Sequence, residues 1–278
     1  MACRNVWWIC LFVLLISSFS ALGPRLSSDE HQHRIAMQPL RQDQAYHQFA
    51  DGRAFLGLGN AGDVLSNLAF IAVGVMGLQF LWRERREPQR FEAPQEMRTY
   101  WVLFGALTLT GLGSAYYHQA PDDARLVWDR LPMAIAFMSL LAAVITERLS
   151  RATGVQLLVP FTVLGIGSVV YWAIFEDLWP YYIVQFGSMA TLLALGALFP
   201  SRYTKSGTLF LVLAVYGVAK FLEIYDREIY ELGHWVSGHT LKHLAAAFGG
   251  YLIMLSLARR SVRPSLGCVT GKCGYRQT

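Results

Sequence analysis

The feature that most limits the possible folds of this chain is a series of long apolar runs separated by short polar breaks. A helix needs about 20 apolar residues to cross the roughly 30 Å hydrocarbon core of a bilayer. Eight runs approach that length, and they span residues 6–22, 63–82, 100–118, 126–147, 155–175, 180–199, 207–225 and 238–258. Because an unpaired backbone amide is costly in lipid, each run is expected to be helical. The sequence predicts an all-α membrane protein whose last seven runs form a seven-transmembrane-helix bundle.

The composition agrees with a membrane protein and argues against a nucleic-acid partner. Hydrophobic residues make up 54% of the chain and charged residues 15%, whereas a soluble domain has about 25% charged residues. The formal net charge is +5, but the basic residues lie in short clusters between apolar runs and form no single basic patch. A membrane lipid is therefore a more natural partner than DNA or RNA.

The chain before the bundle is predicted to have two parts. Residues 1–22 carry a basic residue, an apolar stretch and then small residues, which is the layout of a signal peptide, although an uncleaved extra helix fits almost as well. Residues 23–62 are polar and lack an apolar stripe with a helical period. We expect this second part to be an exposed segment on the non-cytosolic side.

Lys and Arg residues concentrate on one side of the predicted bundle of residues 63–258. That side has the basic loops around residues 83–98, 148–151 and 202–205, and the tail 259–278. Cytosolic loops of membrane proteins are enriched in Lys and Arg. The pattern predicts a cytosolic C-terminal tail and an opposite, non-cytosolic face that has fewer basic residues.

Five polar side chains lie within or at the ends of predicted membrane helices, where an ionisable group costs about 2.5–3.5 kcal/mol. Ser114 and His118 end the third run, Asp129 begins the fourth, and His239 and His243 begin the eighth. With alternating topology these three helix ends fall on the same non-cytosolic side. The five side chains are therefore expected to meet at one depth.

This set of residue types predicts a catalytic zinc site. Two histidines four residues apart share a helix face, and His118 as a third ligand leaves the fourth tetrahedral position for water. Zinc lowers the pKa of such a water and polarises a carbonyl group. Asp129 is then the expected general base, and Ser114 is expected to bond the water or the oxyanion. The alternatives are histidines that bond backbone carbonyls, and a serine that bonds the carbonyl one turn earlier.

Two further polar groups fall on the same side. Lys220 and Glu223 lie three residues apart near the end of the seventh run, where they form either a structural ion pair or a support for the zinc site. A second group opens the second run and serves either as helix caps or as part of the site; it comprises Asn60, Asp63, Ser66 and Asn67.

Taken together, Ser-x3-His, an Asp eleven residues later and a final His-x3-His resemble the alkaline ceramidases and the wider CREST superfamily of seven-helix membrane hydrolases. The resemblance covers roughly residues 51–258. It implies a zinc ion held by His118, His239 and His243, with hydrolysis of ceramide to a sphingoid base and a fatty acid.

The resemblance also implies a calcium site in the N-terminal segment, where this chain has Asp51, Asn60 and Asp63. That segment is less acidic than the family pattern, which argues against calcium. Lys242 stands where the family is rich in aromatic residues, so the resemblance does not predict which lipid headgroup this chain accepts. Because the superfamily includes receptors, the alternative is a lipid receptor or sensor with a structural zinc ion; a haem or transport protein is a third reading.

Overall fold

The computed structural model describes residues 39–86, 88–263, 268–269 and 272–273. The first apolar run, 6–22, and with it the predicted signal peptide or extra helix, lies outside the described residues. The described chain is largely helical. Its extended elements are the two-residue strands Cys268–Val269 and Lys272–Cys273, which pair antiparallel, and two isolated bridges.

Seven long helices account for the seven predicted bundle runs, each to within about one turn at either end. In chain order they are α1 Ala61–Glu84, α2 Met97–Gln119, α3 Asp123–Arg148, α4 Arg151–Phe175, α5 Trp179–Leu198, α6 Thr208–Ile224 and α7 Gly238–Arg259. Among the described residues, α1, α3, α4, α5 and α7 are the five that are long and apolar enough to cross a membrane. The prediction of an all-α chain is confirmed, whereas membrane crossing by α2 and α6 stays a prediction.

The helices form an antiparallel bundle that closes on itself. Successive helices α1 to α4 pack side by side, and α7 packs against both α1 and α6. Helix α3 is the most buried of the five apolar helices. The ends of α2, α4 and α6 and the starts of α1, α3, α5 and α7 therefore lie at the same end of the bundle, here called the site end.

Capping side chains fix where the site helices begin. Asp122 accepts a hydrogen bond from the backbone N–H of Arg125 and so starts α3, while Ser237 accepts from the N–H of Thr240 and starts α7. Such caps satisfy amides that the first helical turn leaves unpaired. They place Asp129 in the second turn of α3 and His239 in the first turn of α7.

The segment before α1, for which the sequence predicts an exposed path, is partly exposed and partly packed against the bundle. In the described part, residues 39–60, the N–H of Leu40 donates to Asp177 at 3.0 Å and the Leu40 carbonyl accepts from the N–H of Leu178 at 2.9 Å. Asp51 is only 3% exposed, and the Phe49 ring packs against the hydrophobic core. The sequence does not indicate these contacts, because they come from single side chains and long-range backbone bonds, which leave no periodic pattern.

The start of the predicted tail 259–278 is also packed against the bundle. Arg259 ends α7, and the following Arg260 is 2% exposed. Its guanidinium lies 3.9 Å from the ring centre of Tyr203 and forms an ion pair with Glu147. Burial of a paired arginine beside aromatic rings explains why a basic tail residue can lie inside the protein.

Candidate metal centre

Three histidine side chains converge at the site end of the bundle. His118 lies in the last turn of α2, while His239 and His243 lie one turn apart at the start of α7. The ring centres are 4.7 Å apart for His118 and His239, 4.8 Å for His118 and His243, and 4.9 Å for His239 and His243. One nitrogen of each ring lies within 4.8 Å of the others, so this buried group could hold a metal ion.

The hydrogen bonding of these rings fits a metal ligand set. Both ring nitrogens of His118 are buried and have no hydrogen-bond partner among the described residues. An unsatisfied buried polar atom costs about 1–3 kcal/mol, which a metal–nitrogen bond would offset. The Ser66 hydroxyl lies 2.8 Å from Nδ1 of His243, which leaves Nε2 of that ring for a metal. Imidazole ligands suit zinc and also copper, iron or nickel.

Lys242 lies between the metal group and a carboxylate. Its Nζ is 2.7 Å from Nε2 of His239 and 3.1 Å from Oε1 of Glu223. A metal ion bound through that Nε2 would displace the ammonium group toward Glu223. Glu223 also pairs with Lys220, as one reading of the sequence predicted. Lys220, Glu223 and Lys242 thus form a three-residue charge cluster beside the histidines.

A cavity of about 90 Å³ opens next to His243. Its wall includes Asp129, Ser114 and His243, so the structure brings the expected base, hydroxyl and metal group together. Asp129 is 6% exposed and Ser114 is 2% exposed. The Ser114 hydroxyl neighbours the Asp129 carboxylate. On the other wall, α5 contains a π-helical turn at Ile183–Gly187, an irregularity that is frequent at functional sites.

Close contact between helices makes this convergence possible. A Cβ atom on Gly113 would lie 2.1 Å from the carbonyl oxygen of Trp128, and one on Gly238 would lie 2.3 Å from that of Leu222. Only glycine allows such an approach. Gly113 therefore lets α2 contact α3 beside Ser114 and Asp129, and Gly238 lets α7 contact α6 beside His239.

The polar residues at the start of α1 support the histidines. Oδ1 of Asp63 accepts from the hydroxyls of Thr240 at 2.6 Å and Ser237 at 3.1 Å, which ties α1 to the first turn of α7. The Asn60 side chain donates to the His118 carbonyl oxygen at 2.8 Å. Asn67 donates to the Asp63 carbonyl oxygen at 2.8 Å. The Asp63 and Asn60 contacts reach the histidine-bearing helix ends, which plain helix caps of α1 would not do, whereas the Asn67 contact stays within α1.

The segment before α1 covers the metal group, and sequence reasoning missed this. The Phe49 ring centre lies 4.5 Å from those of both His118 and His239. The Tyr46 hydroxyl donates to Glu223 at 3.1 Å, and burial raises the pKa of this phenol, which keeps it protonated. No spacing or motif in the sequence marks either aromatic residue. Phe49 therefore packs against two of the three histidines, and Tyr46 contacts the charge cluster beside them.

Asp51, one of the three residues that the resemblance places at a calcium site, is already bound by an arginine. Both carboxylate oxygens of Asp51 are bound by Arg53, through Nε and Nη2 at 2.7 Å each, and this hydrogen bonding lowers the pKa of Asp51. Arg53 Nη2 also donates to the Trp235 carbonyl oxygen at 2.8 Å. The Arg53 guanidinium thus supplies the positive charge beside the Asp51 carboxylate that a calcium ion would otherwise supply. It also links this segment to the loop before α7.

A metal ion on three imidazole ligands keeps one coordination position for water or a carbonyl oxygen. The cavity wall adds a carboxylate that can exchange a proton and a hydroxyl that can donate a hydrogen bond. These groups together suit water activation. No protein-family model matches the chain, and no curated protein matches it in sequence.

Proposed function

We propose that this protein is an intramembrane zinc-dependent hydrolase that cleaves the amide bond of ceramide-like lipids to a sphingoid base and a fatty acid. The observation that carries the proposal is the buried group His118, His239 and His243 beside a cavity that also contains Asp129 and Ser114. The resemblance to the alkaline ceramidases and the CREST superfamily supports it.

The side chains of the cavity have separate roles in this reaction. Zinc, when bound, supplies a water of lowered pKa and polarises the amide carbonyl. Asp129 accepts a proton from the attacking water as the water oxygen bonds to the carbonyl carbon, and Ser114 donates a hydrogen bond to the developing oxyanion. Asp129 then gives the proton to the amide nitrogen as the carbon–nitrogen bond breaks. One water is consumed, and an amine and a fatty acid are released.

We further propose that all seven helices span the membrane, with the site on the non-cytosolic side and the C-terminus in the cytosol. Large apolar side chains on the outside of the bundle support this setting, including Val159 at 68% exposed and Ile174 at 65% exposed on α4. Such exposure is costly in water and neutral against acyl chains. The substrate would reach the cavity from the bilayer.

The test combines zinc content and lipid hydrolysis on one purified preparation. We expect about one zinc per chain and release of fatty acid from ceramide, measured by elemental analysis and mass spectrometry. His118→Ala should lose both, because it removes a ligand from α2. The control is His234→Ala, an exposed histidine before α7, which should keep both. Wild-type protein without zinc would refute the proposal, and zinc-loaded protein that binds ceramide without releasing product would indicate a receptor.

A further inference from the structure

Arg130 lines the same cavity as Asp129 and is only 4% exposed. Its guanidinium lies 4.4 Å from the Trp172 ring centre, 5.1 Å from that of Tyr181 and 5.6 Å from that of Tyr46. Nη2 donates to the side-chain oxygen of Gln42 at 2.6 Å. Within residues 39–86 and 88–263, however, no carboxylate forms an ion pair with Arg130, and its Nη1 has no hydrogen-bond partner.

The other charges around the cavity compensate for Arg130 only in part. Three basic side chains line it, Arg130, Lys220 and Lys242, against the two carboxylates Asp129 and Glu223. Glu223 is already shared by both lysines. Asp129 is the proposed base, so its negative charge varies during turnover. A bound metal ion would add to the excess of positive charge at this end of the cavity.

The aromatic rings around Arg130 can stabilise the flat faces of its guanidinium, but they offer no acceptor to the N–H donors at its edge. Rings attract the flat faces of a cation, whereas the N–H donors at the edge match the paired oxygens of a carboxylate or phosphate. Those donors have one observed acceptor, the neutral Gln42 amide. A buried cation without a carboxylate partner is costly and is expected to receive one from a ligand.

From these contacts we infer that the preferred substrate is an acidic lipid amide, with a carboxylate or phosphate in its headgroup that pairs with Arg130. The inference rests on the proposed function and names its substrate class. Because Arg130 directly follows the proposed base on α3, the anion must lie close to the scissile amide. An N-acyl amino acid, with its carboxylate one carbon from the amide nitrogen, and a phosphorylated ceramide both meet that condition.

A matched pair of ligands tests the inference by binding alone. N-palmitoylglycine and N-palmitoylethanolamine share the acyl chain and the amide and differ by a carboxylate in place of a hydroxymethyl group. We expect zinc-loaded wild-type protein in neutral detergent to bind the acidic lipid at least tenfold more tightly, measured by ligand-dependent thermal shift. Ceramide 1-phosphate against ceramide repeats the comparison with a phosphate and shows which anion is preferred.

Variants assign the preference to one side chain. Arg130→Gln should remove the tenfold difference, while Arg130→Lys, which keeps the charge but loses the planar donor pair, should keep part of it. Arg125→Gln is the matched control, because Arg125 lies on the same helix outside the cavity wall and pairs with Asp122. If Arg130→Gln does not fold, the ligand pairs on wild-type protein still show whether the acidic lipid binds more tightly than the neutral one.

The outcomes separate the two proposals. Equal binding of the acidic and neutral lipids by wild-type protein overturns the inference, and hydrolysis of the neutral lipid in that case leaves the proposed function intact. An acidic preference that Arg130→Gln abolishes supports anion recognition by Arg130. If no lipid is cleaved in addition, the proposed function fails, and the acidic lipid is a ligand rather than a substrate. If the preference persists unchanged in a folded Arg130→Gln protein, another residue binds the anionic group. That result overturns the role of Arg130.

Discussion

Asp129 and Glu223 are both carboxylates on the wall of one cavity, yet their surroundings give them different chemistry. Glu223 pairs with Lys220 and Lys242 and accepts a hydrogen bond from Tyr46, so its negative charge is held in place. Asp129 has no ion-pair partner within residues 39–86 and 88–263 and has a serine hydroxyl beside it. A proton can therefore move on and off Asp129 without breaking a salt bridge, which is what a general base requires.

This difference predicts the behaviour of two variants. Asp129→Asn should keep zinc and fold but lose roughly 10²–10⁴-fold in turnover, the usual contribution of one acid–base group. Glu223→Gln should instead lower thermal stability, because it leaves two partly buried lysines without a full partner. Zinc content, melting temperature and ceramide hydrolysis measured on the same preparations separate the two effects. Full activity in a stable, zinc-loaded Asp129→Asn protein would show that Asp129 is not the base.

At the level of helices, the contact between α2 and α3 determines whether the site forms. A methyl group on Gly113 would overlap the backbone of Trp128, so the two helices would have to separate beside Ser114 and Asp129. We expect Gly113→Ala to cost about 1–3 kcal/mol of stability, the usual range for overpacking, and to lower both zinc content and turnover.

Gly105 on the same helix provides the control for this prediction. A Cβ atom there meets no other atom within 4 Å. Gly105→Ala should therefore match the wild type or exceed its stability by about 0.5–1 kcal/mol, because alanine is the better helix former. Melting temperatures of the two variants in one detergent make the comparison. Equal stability of Gly113→Ala and Gly105→Ala would mean that the helices can shift without loss.

Helices and the metal group were predictable from the sequence because their signals are local. An apolar run of about 20 residues specifies a helix by itself, and the four-residue spacing of His239 and His243 places both on one helix face. The chain segment that covers the site was not predictable. Its path depends on contacts such as Leu40 with Asp177, which lie far apart in sequence. The ring of aromatic residues around Arg130 was missed for the same reason, since it draws on three separate parts of the chain.

Across the whole molecule, basic residues gather at the end of the bundle opposite the site. Several of them are engaged there: Arg151 pairs with Glu92 and Glu96, and Arg148 donates to the carbonyl oxygens of Gly196, Phe199 and Ser206. Such pairing does not weaken the orientation argument, because insertion follows the count of Lys and Arg in short loops and depends little on acidic residues. The proposed orientation therefore rests on the sequence count and on the common end shared by the site helices.

The orientation leads to a prediction with two independent measurements. A reporter fused after Thr278 should behave as cytosolic. In a chain whose native cysteines are replaced, His234→Cys before α7 should react with a membrane-impermeant thiol reagent applied from outside intact cells. Gly207→Cys, an exposed position at the opposite end of the bundle, should react only after the membrane is opened. Because the two positions are both exposed and differ in the end of the bundle they occupy, reversed labelling would place the candidate metal centre on the cytosolic side and overturn the orientation.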